Sequence, residues 1–391
     1  SYILTYNIFM NLKNFYNFFT FSIIGCLTMP GVLFGPAIVG ILVDRADFSE
    51  QYAGWAMAYQ SIGSATALLI ISSFIHSLDL KRLAFITLIF AFILEIYCSF
   101  NSTPVFSFLI IRLLIGAFTT IANIAVYTSI ASLKNYERGF GMFVLMQYLV
   151  SGLGLYFMIL YSDYIGSQGL FLLLALFNLI ALFMIRTLPN QQANNDTGSA
   201  LISETKVLFS GIALLAIIGF GIHEMSGVAQ FTYIERIGVS ILIDNQSLSN
   251  IMLISSLLGI PGAIICITLG KKYGLVIPIL FGISLCLFGM SLFLFSKTYL
   301  TYTIRMCLMG FGWSIVLPYI QSHLANIDKK GSALAAGNSF ATIGGALGAL
   351  LAAKLIGENS NYDALLQVSI LIYIIAGLFL IISIKLKKAH E

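Results

Sequence analysis

One long polar stretch divides this chain. Residues 187–206, Thr-Leu-Pro-Asn-Gln-Gln-Ala-Asn-Asn-Asp-Thr-Gly-Ser-Ala-Leu-Ile-Ser-Glu-Thr-Lys, separate two blocks that are overwhelmingly apolar and broken only by short turns. Within both blocks, apolar runs recur that are long enough to cross a hydrocarbon core roughly 30 Å thick as helices. A soluble reading fails on composition. The chain is 9% charged and 59% hydrophobic, whereas a soluble domain carries about 25% charge.

The first block predicts helices over 18–43, 52–76, 83–100, 105–132, 140–162 and 168–187. The second predicts helices over 207–233, 249–270, 275–296, 300–326, 332–356 and 364–386. The expected fold is an all-α polytopic membrane protein with twelve transmembrane helices in two six-helix bundles. The bundles cover residues 1–187 and 207–391, joined by a central loop over 188–206. Gly25, Pro30, Gly31, Gly35, Pro36 and Gly40 fall inside the first helix. They predict a helix that bends or approaches its neighbours closely.

Basic residues are unevenly placed. With the N-terminus inside, Arg45, Arg236 and Lys297 lie in outer segments, Arg112, Arg305 and Lys354 lie within spans, and the remaining fourteen of the twenty lie in inner segments. The positive-inside rule then assigns both termini and the central loop to the cytoplasm. The five cysteines all fall in apolar segments with no CxxC spacing, which reads as packing rather than a disulfide framework or metal site.

The two blocks repeat one another. Arg112-Leu-Leu-Ile-Gly116 is followed by Glu137-Arg138-Gly139 and then Ser151-Gly152-Leu153-Gly154. Arg305-Met-Cys-Leu-Met-Gly310 is followed by Lys329-Lys330-Gly331 and then Gly344-Gly345-Ala346-Leu347-Gly348. Gly139 to Gly152 and Gly331 to Gly344 are both steps of thirteen. The fourth and fifth helices thus recur as the tenth and eleventh in the same orientation, a parallel repeat known in secondary transporters.

On these features the chain resembles the major facilitator superfamily over nearly all its length. Arg112 with Gly116 resembles the basic residue and glycine of that family's fourth helix. Gly270-Lys271-Lys272-Tyr273-Gly274 resembles a shortened form of its basic loop after the eighth helix. The matching loop after the second helix, His76-Ser77-Leu78-Asp79-Leu80-Lys81-Arg82, lacks the glycines and displaces the aspartate. The fifth helix lacks the Gly-Pro pair of drug/proton antiporters. Tyr233-Ile234-Glu235-Arg236-Ile237-Gly238 looks like a signature of a poorly characterised bacterial branch and names no cargo. The resemblance implies an integral protein of a bacterial inner membrane, monomeric, with no cofactor and no nucleic-acid partner.

Polar groups at membrane depth are costly and tend to face water-filled cavities. Arg112, Gly116, Thr119, Asn123 and Tyr127 are spaced 4, 3, 4 and 4, so they share one stripe of the fourth helix. The stripe reads as a cavity lining in which Arg112 binds an anionic group or tunes a carboxylate. The alternative is a seam in which Arg112 braces neighbouring helices, with Glu95 at similar depth. In the seventh helix His223, Ser226, Gln230 and Tyr233 share a face, with Glu224 beside it. Glu224 is suited to exchange a proton, because desolvation favours the neutral form of a carboxylate, or it is simply paired for packing. Glu235 and Arg236 at the outer mouth form either a gate pair or solvated end charges. Gln147 with Ser151, and Asn338 with Thr342, are further lining candidates. So is Tyr319, which shares a stripe with Arg305 and His323; Arg305 near its helix end is expected to snorkel. Tyr59 and Gln60 are weaker candidates.

The chain therefore reads as a secondary active transporter. It would move a small polar or amphipathic solute, anionic if Arg112 contacts it, by alternating access, with protons as the coupling ion through Glu224. Two other readings are proton-antiport efflux of drugs or other lipophilic compounds, and a non-transporting membrane sensor. An enzyme is not supported: HExxH, GxSxG and P-loop motifs are absent and the four histidines are scattered.

Overall fold

The computed structural model describes residues 2–74, 77–133, 136–190, 210–269, 272–327, 332–357 and 360–390. Most of the expected central loop, and His76, Lys134, Lys206, Gly270, Lys271 and Lys329–Gly331 with it, lie outside the described residues. Every regular element described is helical. The N-terminal half holds α1 (Tyr2–Leu27), α2 (Pro30–Leu33), α3 (Gly35–Arg45), α4 (Glu50–Phe74), α5 (Leu80–Phe100), α6 (Phe106–Ala131), α7 (Tyr136–Leu160) and α8 (Ser162–Met184). The C-terminal half holds α9 (Gly211–Thr232), α10 (Ile234–Ser240), α11 (Asn245–Leu269), α12 (Val276–Phe295), α13 (Tyr299–Ile327), α14 (Ser332–Ile356) and α15 (Tyr362–His390).

Ten of these helices are long and apolar enough to cross a membrane. The broken series α1–α3 and the more polar α4 complete the twelve-span fold. The first span is three helices, not one bent one. After Leu27 the chain tightens: the Met29 amide donates to Cys26 O (3.3 Å) rather than to Gly25 O. Pro36 then has no N–H to continue the ladder toward Val32. The carbonyls this frees are satisfied from the side. Asn123 Nδ2 donates to Gly25 O at 3.0 Å and to Thr28 Oγ1 at 2.9 Å, and Ser151 Oγ donates to Leu33 O at 2.9 Å. A buried break in lipid requires such partners. The seventh span also continues past a break, at Tyr233, into α10.

Small residues allow a close crossing of α4 and α6. A Cβ on Gly116 would lie 1.9 Å from Gln60 O, and one on Gly63 1.9 Å from Leu113 O. Helices α4 and α6 therefore touch backbone to backbone, as small-residue membrane interfaces allow. Between the halves, α4 packs along α14 and α7 along α11.

The two ends of the molecule differ. Near the α3–α4 turn one apolar core runs across both halves, joining Ile38, Leu42 and Phe48 to Ile234, Ile237, Leu248 and Ile356. A second core, containing Ala213, Ile217, Phe220, Ile320 and Leu324, is confined to C-terminal helices. At the start of α11, outside the span, Asp244 caps the helix by accepting from Ser247 N at 2.9 Å. That hydrogen bond holds its carboxyl below the ordinary aspartate range.

Candidate functional site

The stripe on α6 faces its neighbours, not a cavity. Arg112 is 1% exposed. Its Nη1 contacts both Glu95 oxygens at 3.0 and 3.1 Å, and its Nη2 donates to Gln60 Oε1. The Phe171 ring lies 5.6 Å from the guanidinium carbon. Thr119 bonds back to Ile115 O, and Asn123 is spent on the α1 break. Of the two readings of Arg112, these contacts match the brace. The expectation of an anionic cargo, which rested on a free Arg112, loses its basis because the charge is already matched. Tyr127 stands apart from that network, 39% exposed, with its ring against Phe140 and Phe143.

The C-terminal stripe is likewise internal. Tyr319 is 4% exposed within the C-terminal core, and His323 bonds Ser383 Oγ at 2.8 Å. Tyr319 is therefore not placed as a lining residue. Arg305 does not snorkel: it is fully buried. Asn338 is exposed, 3.5 Å from Gln321 Nε2. Gln147 is half-buried and reaches Met29 Sδ at 3.2 Å, beside the first-helix break.

The polar face of α9 splits into two sites. Toward its end, Tyr233 crosses to the other half and donates to Glu50 O at 2.8 Å. Gly54 makes this possible, since a Cβ there would lie 1.8 Å from the Tyr233 hydroxyl. One turn on, Arg236 makes a two-pronged contact to Asp44 of α3, both arms 2.7 Å, and holds Glu235 at 2.6 and 2.7 Å. Glu235 sits against Gly40, where a Cβ would lie 2.7 Å from its Oε2. Glu235 and Arg236 are about 5% exposed, so they are not solvated end charges. Asn245 to Ser162, 3.3 Å, adds a further inter-half bond at this end.

Deeper in α9 lies the second site. Glu224 is eight residues from Thr232, about 12 Å below the helix end. It keeps 15% side-chain exposure while its neighbour His223 has none. His223 Nδ1 lies 3.1 Å from Glu224 Oε1, and its ring meets Tyr373 edge-on at 5.2 Å. From the opposite half comes Tyr148, whose hydroxyl interacts with Ser314 and lies within electrostatic reach of Glu224. Tyr148 fits because Gly259 leaves room for its ring. Trp313 Nε1 flanks Gly227, one turn from Glu224. Sequence reasoning missed Tyr148, Trp313, Tyr373 and Asp44. Aromatic residues are common in this chain, and Asp44 looks like one charge among several in an outer turn. Gln230 is fully buried and bonds Arg305 and Ser226. No cluster of metal-ligating residues occurs among the described residues.

The fold has solved relatives. A nucleoside transporter, NupG in a mutant form, superposes with TM-score 0.70 at 12% identity, covering 94% of this chain and 99% of that one. A D-xylose–proton symporter does so at 0.68 and 14%, covering 93% and 97%. The E. coli xylose transporter XylE, in a partially occluded inward-open conformation, does so at 0.64 and 14%, covering 92% and 97%. No curated protein matches the chain by sequence. The sequence model of the Major Facilitator Superfamily matches residues 14–349, and the chain belongs to that family.

Proposed function

We propose that the protein is a proton-coupled secondary transporter of a small polar solute, with Glu224 as the proton-exchanging group at the centre of the transport path. The observation that carries this reading is the placement of Glu224. It is a carboxylate at membrane depth, in contact with a buried histidine, still accessible, and within electrostatic reach of Tyr148 from the other half. Intramembrane ionisable groups of this kind mark ion and substrate pathways. Tyr148 and Trp313 supply flat faces, and Gln147 and Asn338 supply amide groups. A sugar- or nucleoside-like cargo fits such a lining, in keeping with the cargoes named for the solved relatives.

The two halves, 1–187 and 207–391, would rock about this site with residues 188–206 as a slack connector. With the charge bias placing the termini in the cytoplasm, the continuous core and the Arg236–Asp44 and Tyr233–Glu50 contacts close the outer end. The state described is then inward-facing, with Glu235 and Arg236 in the gate. The test is Glu224→Gln in liposomes. Proton-driven accumulation should vanish while equilibrium exchange of cargo persists. Undiminished proton-driven uptake by that variant would remove Glu224 from the coupling role.

A further inference from the structure

The internal repeat sets Arg305 against Arg112, and the two are treated very differently. Arg112 is matched by Glu95 and Gln60. Arg305 is equally enclosed, with no exposure, yet its one hydrogen bond is from Nη2 to the neutral Gln230 Oε1, at 3.3 Å. Its Nε and Nη1 have no acceptor, and no carboxylate pairs with it among the described residues. The reason lies in the preceding helix. Glu95 stands five residues before the end of α5, whereas the residue five before the end of α12 is Met290, fully buried. The two halves share the cation, but where one has a carboxylate the other has a thioether.

A lone guanidinium in a membrane interior is strongly unfavourable unless an anion joins it, and Arg donors hold anions through short charge-assisted bonds. The surroundings suit one. Tyr373, whose hydroxyl is also unpartnered and buried, and Tyr302 both lie within electrostatic reach of Arg305. Phe293 covers the guanidinium at 5.6 Å and also lines a cavity of about 300 Å³ that opens beside Ser240, Lys297 and Asn361. In that cavity Lys297 is paired with Asp363 at 2.6 Å, and the Phe293 ring is shared with the buried cation.

We propose that the C-terminal half holds a small inorganic anion of the chloride class on Nε and Nη1 of Arg305, reached from the cavity past Phe293, in place of the glutamate that its repeat uses. This site is separate from Glu224 and stands whatever the cargo is. The test uses the full chain in detergent, with chloride replacing gluconate at constant ionic strength and thermal unfolding as the readout. The unfolding temperature should rise and saturate with chloride. Arg305→Met should abolish that rise. Met290→Glu, which puts a carboxylate at the position matching Glu95, should raise the unfolding temperature in gluconate and remove the chloride response. If wild type unfolds identically in both salts, or if the chloride response survives in either variant, the proposal is overturned. Should one variant not fold, the other and the wild-type titration still decide it.

Discussion

Removing Arg112 alone should damage this protein far more than removing Arg112 together with Glu95. The guanidinium is 1% exposed, contacts both oxygens of a carboxylate that has no exposure, and lies on Phe171. Arg112→Met strands Glu95 in an apolar interior, and breaking a buried pair from one side costs about 3–5 kcal/mol. At 1.36 kcal/mol per tenfold that is roughly a hundredfold or more in the folding equilibrium. Glu95→Met strands the arginine at a similar cost. The double replacement leaves no buried charge, and exchanging a whole pair for apolar residues of similar volume is about neutral, or stabilising by about 1–4 kcal/mol. Thermal unfolding of the purified protein measures all three variants, and liposome flux of an identified cargo measures the consequence. The two single variants should unfold early and the double variant near wild type, with flux retained. A stable double variant that has lost flux would refute the brace and return Arg112 to the transport path. A benign Arg112→Met would refute the enclosure itself.

Two further outcomes follow from the same geometry. Gly116→Ala places a Cβ 1.9 Å from Gln60 O, so α4 and α6 must part. Overpacking of this kind costs about 1–3 kcal/mol, occasionally more, and the variant should lose yield of monodisperse protein, whereas Gly141→Ala, which meets nothing within 4 Å, should not. Asp44→Asn removes one carboxylate from Arg236. Since Asp44 is 47% exposed, the loss is near 1 kcal/mol, about a fivefold shift toward opening of the outer end. Faster alkylation of a cysteine at the buried position 37 (Ala37→Cys in a cysteine-free background) would report it, and an unchanged rate would show that the latch carries no weight.

The helices were legible because each apolar run is long, and lipid leaves such a run little alternative to a self-satisfied helix. The break in the first span was legible as a tendency, since Gly25, Pro30, Gly35 and Pro36 crowd one segment. That Asn123 and Ser151 would satisfy the freed carbonyls was not. The stripe on α6 was correctly grouped, but its meaning was open. A spacing of three and four says which residues share a face, and nothing in it says whether water or a neighbouring helix lies opposite. The same ambiguity placed Tyr319 on a lining, and nearness to a helix end made Arg305 look like a snorkelling residue.

Local sequence determined the order of the membrane-spanning segments, the repeat, and which side chains stand together on each face. These depend on backbone satisfaction and on residues within a few turns of each other. Tertiary structure alone decided that Arg112 has a partner and Arg305 has none. It also decided that Arg236 meets Asp44 across 192 positions and that Tyr233 meets Glu50 across 183. A charge at membrane depth is costly or cheap according to what a distant helix brings within about 3 Å. Packing of the twelve spans sets that distance, and no helical period encodes it.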